Sequence, residues 1–200
     1  MLICAFMSLF LERFAVNESF FRMILSRHSL GAKHLTIPAP DVGALRLAIT
    51  AALRVPCHDE VLPFRWVEVA SRDRLADLFE SVLPADADEA TRAKARGKAH
   101  KAPLCMALIG IGLSDQGNER ASNEKLLSAG ASLMNFLGAM HAQGFAAKTV
   151  SGKDFPAPDG LYDPTNERLL AFVLVGTPDA PLNYRDIGQG NDERQPLSRW

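Results

Sequence analysis

Cysteine is scarce and scattered in this chain. Cys4, Cys57 and Cys105 are the only three in 200 residues. An odd number, with no CxxC pair and no Cys/His metal spacing, excludes a disulfide-stapled framework and a zinc module. The reading is reduced thiols in a cytoplasmic protein without a metal site. Charge of one sign is not in excess either: Lys and Arg total 22, Asp and Glu 23, for a formal net charge of -1. That balance argues against a protein built to coat nucleic acid. No apolar run reaches membrane-spanning length. Met1 to Leu11 is apolar, but it lacks a basic start, and Glu12 and Arg13 interrupt it. Residues 1–19 are therefore expected to be an N-terminal extension or the start of a helix, ahead of one domain over 20–200. The GxGxxG, Walker A and GxSxG patterns are all missing, so a Rossmann, P-loop or hydrolase reading has no footing. Internal repeats, low-complexity tracts and dividing linkers are missing as well.

What is present is enough apolar sequence, 48% of the residues, to bury a core. Phe20, Phe21, Ile24 and Leu25 make a helical stripe that ends at Ser26. Asp41 is placed as the N-cap of a helix carrying Leu45, Ala48, Ile49, Ala52 and Leu53, which Pro56 stops. A strand over 65–70 follows, then a helix with Leu75, Leu78, Phe79 and Val82 at core spacing. Residues 86–101 are polar and increasingly basic, through Arg92, Lys94, Arg96, Lys98 and Lys101. They read as a solvated helical face, with a phosphate-meeting site as the alternative. Leu104 to Gly112 is apolar throughout, as for a strand covered on both faces.

The longest helix is expected over about 122–143. Leu126, Gly130, Leu133, Met134, Leu137 and His141 recur along it as a stripe, and Gly130 and Gly138 offer close approach to another backbone. Gly144 is a ready C-cap. Strands over 145–150 and 169–175 flank an acidic, Pro-containing segment, 154–168, that reads as loop or short helix. The tail after Pro181 has no core pattern. Strands alternating with helices in this way give an α+β sandwich.

The stretch from Ser26 to Val69 carries the densest chemistry. Arg27 and Ser29 lie two apart at a helix end, where a guanidinium fork, a hydroxyl and backbone N–H groups together suit a phosphate. His58 falls on a loop after a helix stop, where functional groups are commonly displayed. The ordered set Arg27-His28-Ser29, Pro38-Ala39-Pro40, Arg54-Val55-Pro56-x-His58 and Pro63-Phe64-Arg65-Trp66-Val67 resembles the FMN-dependent nitroreductase family, most closely its short NAD(P)H nitroreductase subgroup. The likeness continues through Lys101-Ala102-Pro103-Leu104, Ser128-Ala129-Gly130-Ala131, Ala142-Gln143-Gly144-Phe145 and Gly176-Thr177-Pro178, and covers roughly residues 20–180.

The resemblance implies an α+β fold with a mixed, mainly antiparallel central sheet flanked by helices. It also implies a homodimer with two FMN sites at the subunit interface. Arg27, His28 and Ser29 would bind the phosphate and ribityl end of FMN, and His58 and Leu62 would reach the flavin from the other subunit. Thr149, Val150 and Ser151 would line the opposite wall. Ala139, Met140, His141, Ala142, Gln143 and Gly144 would lie where the nicotinamide nucleotide of NAD(P)H is expected. The flavin then carries hydride to a small-molecule acceptor such as a nitro compound or quinone, and no side chain is assigned as catalytic.

Two positions depart from the family pattern. Leu62 stands where a polar residue is frequent, and Thr149-Val150 where Trp-Arg is frequent, so one cation is missing. Lys148 and Lys153 are the nearest replacements in sequence. The rival readings are a flavin-binding or degenerate member with little turnover, a thiol site at Cys57-His58, and nucleic-acid binding through 92–101, which lacks interleaved aromatics.

Overall fold

The computed structural model describes residues 17–57, 61–113, 119–152 and 155–181. Chain contacts divide the protein into one compact unit over His28–Leu182 and another made of Met1–Arg27 with Asn183–Trp200. The described part of the second unit is one helix, α1 (Glu18–Ser26). Asn17 caps it by accepting the Phe20 N–H at 3.0 Å, which satisfies one of the orphan donors of the first turn.

The larger unit is built on an antiparallel sheet of β1 (Leu35–Thr36), β2 (Phe64–Glu68), β3 (Leu104–Ile111), β4 (Ala146–Ser151) and β5 (Glu167–Pro178). The strand order is β1-β5-β3-β2, and β4 also pairs with β5. β5 is the template. Residues 167–169 and 171–175 face β3 along one edge, while 171–176 face β4 and 177–178 face β1 along the other. A 12-residue strand can serve two shorter partners end to end in this way. Every pairing among the described residues is antiparallel, with no parallel component to the sheet.

Four helices cover the two faces: α2 (Val42–Ala52), α3 (Arg72–Ser81), α4 (Glu89–Ala99) and α5 (Glu119–Ala142). Successive β-strand side chains point to opposite faces, so β3 sends Cys105, Ala107 and Ile109 toward α3 and α4, and Leu104 and Met106 toward α2 and α5. β5 divides likewise, Phe172 and Leu174 against Val173 and Val175. Cover on both faces is why neither strand shows hydropathic alternation. Asp41 caps α2 as the sequence indicates, accepting the Ala44 N–H at 2.7 Å.

The core face of α5 is rotated from the expected stripe. Ser132, Phe136 and Met140 are fully buried and Ala129 nearly so, while Met134 is exposed and Leu133 and Leu137 sit at the margin. The apolar residues of α5 extend around more than one face, so period alone does not choose between neighbouring stripes. Trp66 chooses: its ring stacks on Phe136 at 4.5 Å, and its indole N–H donates to Ser132 Oγ at 3.0 Å. Gly130 is not a close-approach point within this chain, since a Cβ there would meet nothing within 4 Å. Gly144, at φ +86°, does end the helix. Its N–H donates to the His141 carbonyl and the Phe145 N–H to that of Met140, the paired bonds of a left-handed C-cap. Between Phe155 and Asn166 the chain runs in turns without a helix.

Candidate functional site

The site is assembled on the α3/α4 face of the sheet. Ala146 and Val150 of β4 belong to that face, and Leu30 packs beside them. The Leu30 N–H donates to the Ala147 carbonyl at 3.0 Å. That bond ties the segment after Ser29 to β4, the strand that carries residues 149–151. Next to them opens a cavity of about 540 Å³, within the range of cofactor sites.

Its walls are Phe79, Val82, Leu83, Val150, Phe155 and Leu174, and Thr149 also borders it. Phe79 and Phe155 stack at 5.4 Å, and both meet Phe172 edge-on, at 6.0 and 5.7 Å. Edge-to-face and offset contacts of this kind hold aromatic side chains in fixed orientations. Lys33, Lys98, Lys101 and Lys148 stand around the mouth. None of these lysines is in an ion pair among the described residues. No acidic residue among the described ones lines the cavity.

The basic segment 92–101 therefore divides in two. Arg96 Nη1 donates to Asp77 at 2.6 Å and to Glu80 at 2.9 Å, and Arg92 Nη1 reaches Glu80 at 3.3 Å. These bonds tie α4 to α3, and Arg96 foremost, then Arg92, holds the Glu80 carboxyl below the usual carboxylate range. The lysines that end the segment have the other role and face the cavity mouth. Spacing along the helix did not separate the two groups; the positions of Asp77 and Glu80 on the neighbouring helix did.

The remaining expected residues are placed as follows. Ser151 ends β4 and is exposed. Arg27 ends the smaller unit, and its Nε is buried with no hydrogen-bond partner. Leu62 packs with Phe64, Leu108 and Ala129, away from the cavity lining. His58 and Lys153 lie outside the described residues. Ala139 to Gly144 form the end of α5 and the turn after it, and they do not line the cavity. Met140 is fully buried in the α2/α5 core, so its side chain is a packing element. Gln143 Nε2 donates to the Ala44 and Ala139 carbonyls at 3.3 and 3.0 Å.

The sequence reading did not assign Lys33, Phe79 or Phe155 to the site. Lys33 follows Ser29 by four residues, a faint signal. The two phenylalanines carry none, because a core ring and a cavity ring have the same spacing.

Among the described residues Cys57 Sγ bonds the Val61 carbonyl, at 3.7 Å, and Cys105 is buried, its thiol pushed up to about 12. Cys105 lacks the accessible setting of a reactive thiol, and the histidine next to Cys57 lies outside the described residues. Among the described residues no His, Cys, Asp or Glu cluster is arranged for a metal ion. No described helix is long and apolar enough to cross a membrane.

Aromatic walls and a rim of cations unpaired among the described residues fit a planar, anionic cofactor such as FMN. The fold is that of the nitroreductases. The nitroreductase-like family protein of Bacillus cereus superposes with a TM-score of 0.71 at 15% identity, covering 90% of this chain and 96% of that one. The FMN-dependent nitroreductase of Clostridium difficile gives 0.60 at 11% identity, covering 88% and 98%. The chain matches no family model. A curated Haemophilus influenzae protein named "Putative NAD(P)H nitroreductase" is 29% identical over 153 residues, 72% of this chain and 82% of that protein. In sequence the chain is similar to curated proteins named as putative NAD(P)H nitroreductases, and in fold to nitroreductase-family structures.

Proposed function

We propose that this protein is an FMN-dependent oxidoreductase that takes hydride from NAD(P)H and delivers it to a nitro compound, quinone or similar acceptor. The observation that carries the reading is the cavity beside β4, where Thr149 and Val150 meet an apolar aromatic wall and unpaired lysines. Bound FMN supplies the redox chemistry by accepting and returning a hydride.

The chain's own residues bind and position. In this reading Arg27, His28 and Ser29 hold the phosphate, whose charge of about -2 calls for a cation and hydrogen-bond donors. The Leu30–Ala147 backbone bond anchors the segment that follows Ser29 to β4. Val150, Phe79 and Phe155 present an apolar wall that excludes water. Lys148, next to the position where the family often carries Arg, supplies a cation from the same strand face as Val150. His58 and Leu62 serve a second site across a homodimer interface, and Ala139 to Gly144 serve the nicotinamide nucleotide through their backbone at the end of α5. The protein works in the cytoplasm.

The test is a visible absorption spectrum of the purified protein before and after adding FMN and desalting. Retained yellow colour, bleached by NAD(P)H without oxygen, is the expected result. A protein that cannot retain FMN overturns the reading. A degenerate member with little turnover is the second reading, favoured by Val150 and Leu62. It predicts retained FMN that NAD(P)H does not bleach.

A further inference from the structure

We propose that the electron acceptor of this site carries a fixed negative charge, a carboxylate or sulfonate on a planar unsaturated ring; this rests on the flavin reading above. The argument is one of charge. Lys33, Lys98, Lys101 and Lys148 surround one cavity mouth, and among the described residues no acidic side chain lines it and none of the four is neutralised by an ion pair. The basic side chains nearby that do have carboxylate partners, Arg92 and Arg96, are turned to α3 instead. An FMN phosphate brings at most about two negative charges. Even if that phosphate were neutralised wholly by these lysines, about two positive charges would remain at the mouth.

A cleft lined by one sign of charge on low-dielectric walls concentrates ligands of the other sign and raises their on-rate. Phe79 and Phe155 make those walls low in dielectric and suited to a ring face. The four lysines come from the turn before β1, from α4, from the loop after it and from β4, so only the tertiary fold concentrates them. Neutral nitroarenes fit the same walls and gain nothing from the rim. A nucleotide donor is anionic too, and the test separates it from the acceptor.

The experiment uses the full-length protein with FMN bound, in the oxidised state, without NAD(P)H. The dissociation constants of 4-nitrobenzoate and of its neutral analogue 4-nitrobenzyl alcohol are measured by calorimetric titration at low and high salt. The expected result is at least tenfold tighter binding of the benzoate at low salt, an advantage that high salt removes. It is also lost in the Lys98→Gln/Lys101→Gln double variant and kept in Lys98→Arg/Lys101→Arg, which guards against simple misfolding. Equal constants for the two ligands in a protein that retains FMN overturn the inference and leave the flavin reading standing. Loss of FMN from the Gln variant, with the Arg variant intact, assigns the lysines to the cofactor and overturns it. A Gln variant that retains the benzoate preference but raises KM for NAD(P)H in steady state assigns them to the donor and also overturns it. A wild-type protein that cannot retain FMN fails at the earlier step, and both readings fall.

Discussion

Arg65 and Glu167 form a two-pronged ion pair, Nε to Oε1 at 2.7 Å and Nη2 to Oε2 at 2.8 Å, across 102 positions of sequence. The same Nη2 donates to the Leu161 carbonyl at 2.8 Å, and Glu167 also accepts the Asp163 N–H at 2.9 Å. The edge strand β2, the start of β5 and the turn before it are thereby fixed to one another. That turn follows Phe155, so the pair also limits how far one cavity wall can move.

The pair makes stability depend on acid. Arg65 first, and the Asp163 N–H after it, hold the Glu167 carboxyl at about 2, below its value of 4.5 in an unfolded chain. A depressed carboxyl stabilises the fold fully above the unfolded value and loses that contribution as pH falls from about 4.5 toward about 2. Urea midpoints measured at pH 6 and pH 3 should fall for the wild type and fall less for Glu167→Gln. The substitution itself should cost about 1–2 kcal/mol at pH 6, the low side of a charged hydrogen bond, because Arg65 is 39% exposed.

Ser132→Ala should destabilise the protein by about 1–3 kcal/mol, since it leaves the Trp66 indole N–H without its acceptor in a packed interior. Phe136→Ala should cost more, about 3–5 kcal/mol, through the cavity it opens under the same indole. Equilibrium urea unfolding measures both. A neutral Ser132→Ala would mean that the indole finds water instead.

Gly152→Ala tests how tightly β4 lies on β5. A Cβ at Gly152 would stand 2.5 Å from the Leu169 carbonyl oxygen and 2.8 Å from its carbon. Backbone cannot yield as a flexible side chain can, so the thermal midpoint should fall, by the equivalent of about 1–3 kcal/mol. Because Val150 and Thr149 precede this residue on the same strand, FMN retention should weaken alongside.

Val150→Arg puts a guanidinium beside Lys148 on the strand that borders the cavity. FMN affinity should rise by roughly one charged hydrogen bond, about 1.5–3 kcal/mol, read as a ten- to hundredfold fall in the dissociation constant. Lys148→Ala should move it the other way. Flavin fluorescence quenching on titration measures both, and an unchanged constant in each would remove this strand wall from the cofactor site.

Much of this protein was set by local sequence. Asp41 before an apolar helical pattern, Gly144 after one, and the uniformly apolar Leu104 to Gly112 and Leu169 to Val175 each specify an element through capping, backbone freedom or two-sided burial. Those signals act over a few residues, and the elements fall where they point. The ordered motifs from Arg27 to Gly176-Thr177-Pro178 likewise pointed to the nitroreductase fold that the structure has.

The tertiary structure decided what depends on partners distant in the chain. The buried face of α5 follows Trp66, 70 positions before Phe136, and not the periodicity of the helix itself. Arg92 and Arg96 became interhelical ties and Lys98 and Lys101 became cavity cations, because Asp77 and Glu80 lie within reach of the first pair. Phe79, Phe155 and Lys33 joined Val150 at one cavity only through the packing of α3, β4 and the turns around them. A sequence records which groups are present; which charges are neutralised, and which remain to meet a ligand, is settled by distances that only the folded chain fixes.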